Sequence, residues 1–202
     1  TVFCFFGDHG MGWDARRDKT LMNNLGARTY YEHIEVPLII SPCKKSTKSG
    51  IHDSMSISAS LLDDLGLKGH SSFRGKSVFS TGNLFSLVEN TGRGYCDINE
   101  RDIFFTVTTK NFKCMFVLIK NQLYPMRLYN KISDPLEYIN IFEKKIKKDI
   151  VDSLAFFLIK DRRKLLVSRG VDIKKILSRK KKWIIKEYKF DTYRSPRYYK
   201  EN

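Results

Sequence analysis

The first seven residues, Thr1-Val-Phe-Cys-Phe-Phe-Gly7, are apolar almost throughout and run straight into Gly7-Asp8-His9-Gly10. A run of this texture, stopped by glycine, predicts a strand buried on both faces in the centre of a sheet. A second such run, Val36-Pro-Leu-Ile-Ile-Ser41, has Pro37 near its start, where a missing N–H donor is tolerated. Residues 53–66 read as a helix, with Met55, Ala59, Leu62 and Leu65 on one face and Gly66 as the C-cap. Strand, loop and helix in this order predict an α/β layer.

Beyond Gly94 the texture changes. Ile103–Thr108, Phe112–Ile119 and Gln122–Leu128 are rich in β-formers, and the polar breaks 109–111 and 120–121 suit hairpin turns. A small antiparallel sheet is expected there. Ser133-Asp-Pro-Leu-Glu137 carries the marks of a helix start, with Ser133 or Asp134 as N-cap and Pro135 in the first turn. That helix is expected to run to about Arg163, and Lys174–Lys189 to form another, basic one. The chain thus divides into an α/β core with the Asp-His motif (1–94), a small sheet plus packing helix (95–165) and a basic tail (166–202).

With 202 residues, 42% of them hydrophobic, the chain can bury one sizeable core and is not of the disordered class. No apolar run approaches the roughly 20 residues of a membrane span. The opening on Thr1, in mid-strand, suggests that the natural N-terminus lies upstream, and any targeting segment with it. Cys4, Cys43, Cys96 and Cys114 form no CxxC pair, so buried free thiols are expected, which lean towards a reducing, cytoplasmic compartment. Residues 144–202 hold 20 Lys/Arg against 7 Asp/Glu, so nearly all of the net +15 sits there. Such a tail can meet an anionic surface of phosphates, acidic glycans or lipid head groups, although a solvated lysine-rich surface explains it equally. Nucleic acid is not expected, because the aromatic residues there form no stacking motif.

Gly7-Asp8-His9-Gly10 carries the chemistry. In open α/β sheets ligands bind beyond the carboxyl ends of strands. A carboxylate and an imidazole placed there can reach one metal ion or straddle two, and flanking glycines let the backbone turn beneath them. A turn with no such role would look the same in isolation.

The segments downstream of this motif resemble the sulfatase branch of the alkaline phosphatase superfamily. Gly26-Ala-Arg-Thr-Tyr-Tyr-Glu-His-Ile-Glu-Val-Pro-Leu-Ile-Ile40 is similar to the stretch in which a Tyr-Glu pair precedes a Val-Pro-Leu-Ile-Ile strand. Ser60-Leu-Leu-Asp-Asp-Leu-Gly-Leu67 and Phe73-Arg-Gly-Lys-Ser-Val78 resemble the next segments, and Asn111-Phe-Lys-Cys-Met resembles a strand with a Tyr-Lys-Tyr-like core. Leu128-Tyr-Asn-Lys-Ile-Ser-Asp-Pro-Leu-Glu-Tyr-Ile-Asn140 is similar to a Leu-Tyr-Asp-Leu…Asp-Pro-x-Glu-x-Asn signature. The resemblance runs collinearly over residues 1–143. It implies the C-terminal portion of an alkaline-phosphatase-like α/β/α sandwich, followed by a small antiparallel sheet and C-terminal helices. It implies hydrolysis or transfer of sulfate or phosphate esters, glycan-linked or of small molecules, with Asp8 and His9 as ligands of a divalent metal ion, calcium or zinc/manganese. Arg28 and Arg93 are candidate substrate contacts.

This chain departs from the family pattern in three places. The nucleophile, a Cys or Ser matured to formylglycine or a Ser/Thr in phosphatase relatives, belongs to an N-terminal half that is absent here. None of the four cysteines lies in a Cys-x-Pro-x-Arg setting, so no catalytic residue is assigned in this fragment. Ala27, with Arg28 beside it, stands where many sulfatases have a sulfate-contacting lysine, and Asn90 stands for His in Glu89-Asn-Thr-Gly-Arg-Gly94. His33 reads as structural, His52 and His70 receive no role, and Trp13 suits a sugar cleft or the core equally. Two further readings stay open: a phosphoglycerol or phosphoethanolamine transferase of the same superfamily, and a non-catalytic polyanion-binding module.

Overall fold

The centre of the molecule is a four-stranded antiparallel sheet in sequence order, β3 (Phe85–Asn90), β4 (Asp102–Thr109), β5 (Phe112–Ile119) and β6 (Gln122–Asn130). The structure is a computed structural model that describes residues 1–10, 29–90, 102–143, 147–178 and 182–185. The three expected strands form, β5 with the expected bounds, β4 longer at both ends and β6 at its C-terminal end, and β3 joins them ahead of the change in texture at Gly94. Alternation then sorts the side chains. Ile103, Phe105, Val107, Cys114, Phe116 and Leu118 enter the main core, whereas Phe104, Met115 and Val117 pack on the opposite face with Tyr129. A bulge between Met115 and Phe116 lets both Leu123 and Leu128, an odd number apart, reach the main core. Pro125 sits at that bulge on an edge strand, the place where a sheet tolerates proline.

Over the main-core face lies α3 (Lys148–Ser168). Its Val151, Leu154, Ala155, Leu158 and Ile159 recur at helical spacing and are buried against the sheet. A short α4 (Ile173–Leu177) adds Ile173 and Ile176, and Trp183 packs 6.1 Å from the Phe116 ring and donates Nε1–H to Asp152 Oδ1 at 2.6 Å. The expected basic helix from Lys174 to Lys189 is corrected on its described part, since helical structure ends at Leu177.

The helix expected from Ser133 is corrected as well. Residues 134–140 form an irregular segment with a turn at 135–136, a 3-10 turn spans Ile141–Glu143, and α3 begins only at Lys148. Asp134 Oδ1 and Oδ2 accept the N–H groups of Tyr138 and Ile139 at 3.0 and 2.7 Å. Glu137 takes φ +60, a left-handed backbone that stops a helix, and its side chain turns into the protein. Asn140 Oδ1 accepts from Leu128 and Phe142 N–H. The side chains that suggested a cap therefore satisfy the backbone of a loop.

The remaining elements are β1 (Phe3–Phe6), α1 (Tyr31–Ile34), β2 (Leu38–Ser41) and α2 (Ser56–Asp64). Strands β1 and β2 form a separate antiparallel pair, Phe3 opposite Ser41 and Phe6 opposite Leu38. Burial of β1 on both faces is not found: Phe3 and Phe5 are 70% and 64% exposed, because among the described residues no layer closes over them. Helix α2 ends as expected, Gly66 N–H donating to the Asp63 carbonyl and Leu67 N–H to that of Leu62, with φ +70 at Gly66. Its buried face is not the expected apolar one. Met55 and Leu65 are exposed, and Ser56, Ser60 and Asp64 face inwards. Ser60 Oγ accepts the Val78 N–H and Asp64 Oδ1 the Lys44 N–H, so this helix is docked by polar contacts to loops. Of the thiols expected to be buried, only Cys114 is; Cys43 is exposed on a loop, Cys4 is partly covered and Cys96 lies outside the described residues.

Leu158 is fully buried and Phe156, two residues earlier, is exposed. Leu158→Ala should therefore cost about 2–5 kcal/mol, and Phe156→Ala no more than about 0.5 kcal/mol, as read from denaturant midpoints.

Candidate metal site

Asp8 and His9 come directly after β1, and α1 fixes their loop from the side. Gly7 N–H donates to the Pro37 carbonyl at 3.4 Å and Gly10 N–H to the His33 carbonyl at 2.8 Å. A Cβ at position 10 would stand 1.9 Å from the Glu32 carbonyl oxygen, so glycine is required there by contact rather than by turn geometry.

Both candidate ligands face solvent, the Asp8 side chain 87% and the His9 side chain 67% exposed. Asp8 Oδ1 accepts the His9 backbone N–H at 2.9 Å. His9 Nδ1 lies 2.8 Å from the Gly10 carbonyl oxygen. A carbonyl only accepts, so in the neutral ring Nδ1 carries the proton and Nε2 keeps its lone pair. Nε2 stands 3.9 Å from Asp8 Oδ2. Two ligand bonds of about 2.1 Å each can span up to about 4.2 Å, so these atoms fit around one ion. Among the described residues no group of three His, Cys, Asp or Glu side chains is placed to hold a metal, and the pair is at most part of a ligand set.

Four residues are too few for a helix to hold itself, so outside contacts set α1. Thr29 Oγ1 and Thr106 Oγ1 meet at 2.5 Å, and the Tyr30 ring packs edge-on to Tyr129, seating the chain on the sheet face opposite α3. Tyr31 N–H donates to Glu137 Oε2 at 3.1 Å. Lys131 pairs with Glu35 at the helix's other end. Glu137 is held in turn by Lys113 Nζ, 2.8 Å from each carboxylate oxygen, and both side chains are wholly buried.

Burial pulls the Lys113 ammonium down to about 8, against the attraction of Glu137. Burial also raises the Glu137 carboxyl above its ordinary 4.5, against the attraction of Lys113. Between about 8 and 10.5 the unfolded chain keeps a proton that folded Lys113 has released. This group's stabilising contribution is therefore present above 10.5 and is lost as pH falls through about 8. Glu137 works the other way, contributing below 4.5 and losing that contribution as pH rises through its folded value. For both groups burial opposes the charged form and the partner's opposite charge favours it.

Arg28 and Arg93, like Trp13 and Ala27, lie outside the described residues. His33 serves through its backbone carbonyl, while His52 Nε2 meets the Lys48 carbonyl and His70 Nδ1 meets Ser72 Oγ, local contacts far in sequence from Asp8. Glu89 is engaged by Arg162 Nε at 2.7 Å, across a break in the helical backbone of α3. Lys113 and Glu137 lie in two of the segments that carry the resemblance, yet the sequence assigned neither to a site. Their signals were a lysine in the middle of an apolar strand and the acid of Asp-Pro-Leu-Glu137.

No protein-family model and no curated protein matches the chain. Solved structures do. A candidate sulfatase of Bacteroides thetaiotaomicron VPI-5482 superposes over 85% of this chain and 38% of its own, with a TM-score of 0.60 and 17% identity. A 2-O GAG sulfatase covers the same shares, with a TM-score of 0.57 and 17% identity. A Bacteroides thetaiotaomicron 4S-sulfatase, from a core genetic locus for the metabolism of multiple glycosaminoglycans, covers 83% and 40%, with a TM-score of 0.58 and 17% identity. The chain therefore has a sulfatase-like fold, corresponding to a C-terminal α/β part of it, and spans about two fifths of the length of these proteins.

Removing one partner of the buried pair leaves the other charged and unpaired. Glu137→Leu or Lys113→Met alone should cost about 3–5 kcal/mol, and the double variant distinctly less than either single one. A double-mutant cycle on denaturant unfolding measures this. Gly10→Ala, whose Cβ has no room beside Glu32, should destabilise the loop by more than Gly66→Ala loosens α2, where nothing lies within 4 Å of the added carbon.

Proposed function

We propose that this chain is the metal-binding part of a sulfatase-like hydrolase of sulfate or phosphate esters, glycan-linked, with the nucleophile supplied from outside these residues. The observation that carries the reading is the loop after β1. Asp8 Oδ2 and His9 Nε2 stand 3.9 Å apart beside a glycine pressed against the Glu32 carbonyl. Two of the fold's solved relatives are named as sulfatases of glycosaminoglycans or from a locus that metabolises them, which favours a sulfated glycan as substrate.

Asp8 and His9 would hold a divalent cation, and the donor set of one carboxylate and one imidazole suits zinc or manganese better than calcium. Such an ion stabilises charge on ester oxygens and helps a bound nucleophile to ionise. This chain's part is to orient. The Gly10 carbonyl holds the imidazole by Nδ1, and the His9 N–H holds Asp8 Oδ1, so each ligand presents one remaining atom. Arg28 and Arg93, guanidinium groups suited to an anionic ester, are proposed as substrate contacts.

A binding-only reading has one observation behind it: Lys160, Arg163, Lys164, Lys174 and Lys175 are exposed on α3 and α4. It predicts salt-sensitive binding to a polyanion that survives loss of Asp8 and His9.

In the full-length protein Asp8→Ala should lower sulfate- or phosphate-ester turnover by at least a hundredfold and weaken divalent-cation binding. Unchanged kinetics would remove the hydrolase reading. Residues 1–202 alone should show no turnover of a chromogenic sulfate ester, and measurable turnover would overturn the placing of the nucleophile elsewhere.

A further inference from the structure

Resting on the metal-binding reading of Asp8 and His9, we propose that Lys113 and Glu137 are positioning residues for that site, acting through α1. The path consists of short, named contacts. Lys113 Nζ fixes both oxygens of Glu137 at 2.8 Å, and Glu137 Oε2 accepts the Tyr31 N–H, the first of α1, at 3.1 Å. Two residues on, the His33 carbonyl accepts the Gly10 N–H at 2.8 Å, and the Glu32 carbonyl sits where a Gly10 Cβ would be. Gly10 supplies the carbonyl that orients the His9 ring. The path starts in two wholly buried side chains, passes through backbone hydrogen bonds and ends on an exposed imidazole.

The pair's chemistry fits this role better than a stabilising one. Its charges are buried at a cost, and Glu137 holds a left-handed backbone that a non-glycine residue adopts only when its surroundings impose it. A carboxylate held at both oxygens by Lys113 has its orientation fixed, and Oε2 is thereby directed at the Tyr31 N–H. An apolar pair of equal volume would fill the space without that direction.

The test is Mn²⁺ binding by calorimetry in the full-length protein, for wild type, Asp8→Ala, Glu137→Gln, Lys113→Arg and Leu158→Ala. Loss of outer contacts to ligating residues typically weakens metal affinity about 10–100-fold. Glu137→Gln should fall in that range, Lys113→Arg should retain most of the affinity, and Leu158→Ala, destabilised in the other core, should bind as wild type. Amide exchange at Gly10 gives a second readout, free of metal: it should quicken in Glu137→Gln and not in Leu158→Ala. Asp8→Ala binding like wild type would defeat the metal reading itself. Asp8→Ala binding weakly while Glu137→Gln matches wild type in both affinity and Gly10 exchange would defeat the positioning role alone. Should Glu137→Gln fail to fold, Lys113→Met read by the same two measurements takes its place, with the same outcomes deciding.

Discussion

Two opposite charges with wholly buried side chains, Lys113 on β5 and Glu137 in the loop after β6, hold the parts of this molecule in register. A buried ion pair is poor cement, since desolvation consumes much of what attraction supplies. It is nevertheless directional, and direction is what the surrounding structure lacks. The segment of residues 29–35 reaches the sheet by a hydroxyl contact, a tyrosine edge and the single N–H that Glu137 accepts. The carboxylate adds a charged hydrogen bond at the first N–H of α1, beside the Lys131–Glu35 pair at its other end.

The sheet works as a partition. On one side α3, α4 and Trp183 build an apolar core with the sheet. On the other side a smaller cluster of Tyr30, Phe104, Met115, Val117 and Tyr129 surrounds the polar pair and carries the segment that supports Asp8 and His9. The larger core and the segment that supports the candidate site thus lie on opposite faces of one set of strands, with strand alternation keeping them apart.

How much of this the sequence revealed depends on which forces act locally. Strands β4 to β6 were legible because alternation and hairpin breaks are local, and Gly66 was legible as a cap for the same reason. The helix expected from Ser133 failed because Asp134 and Pro135 signal a helix start, whereas Glu137 is drawn off by a lysine 24 positions earlier. The inner face of α2 was misread because its docking is by hydrogen bonds from Ser60 and Asp64, which hydrophobic spacing does not register. At the candidate site, Asp8 and His9 were visible as chemistry, but the means of holding them, two carbonyls of α1 against a glycine, is a tertiary contact with no local signature.

The bulge at Met115 and Phe116 has a further consequence at the outer margin of the sheet. Among the described residues, strand β6 ends the ladder with one side unpaired, the sort of border that recruits strands from other molecules. Pro125 removes a donor there, and the extra residue bends the strand, so an incoming chain would meet a row of hydrogen-bonding groups out of step with its own. At the other border, Glu89 of β3 is engaged by Arg162 from α3. An irregularity that brings two leucines into one core thus also makes this border a poor template for an added strand.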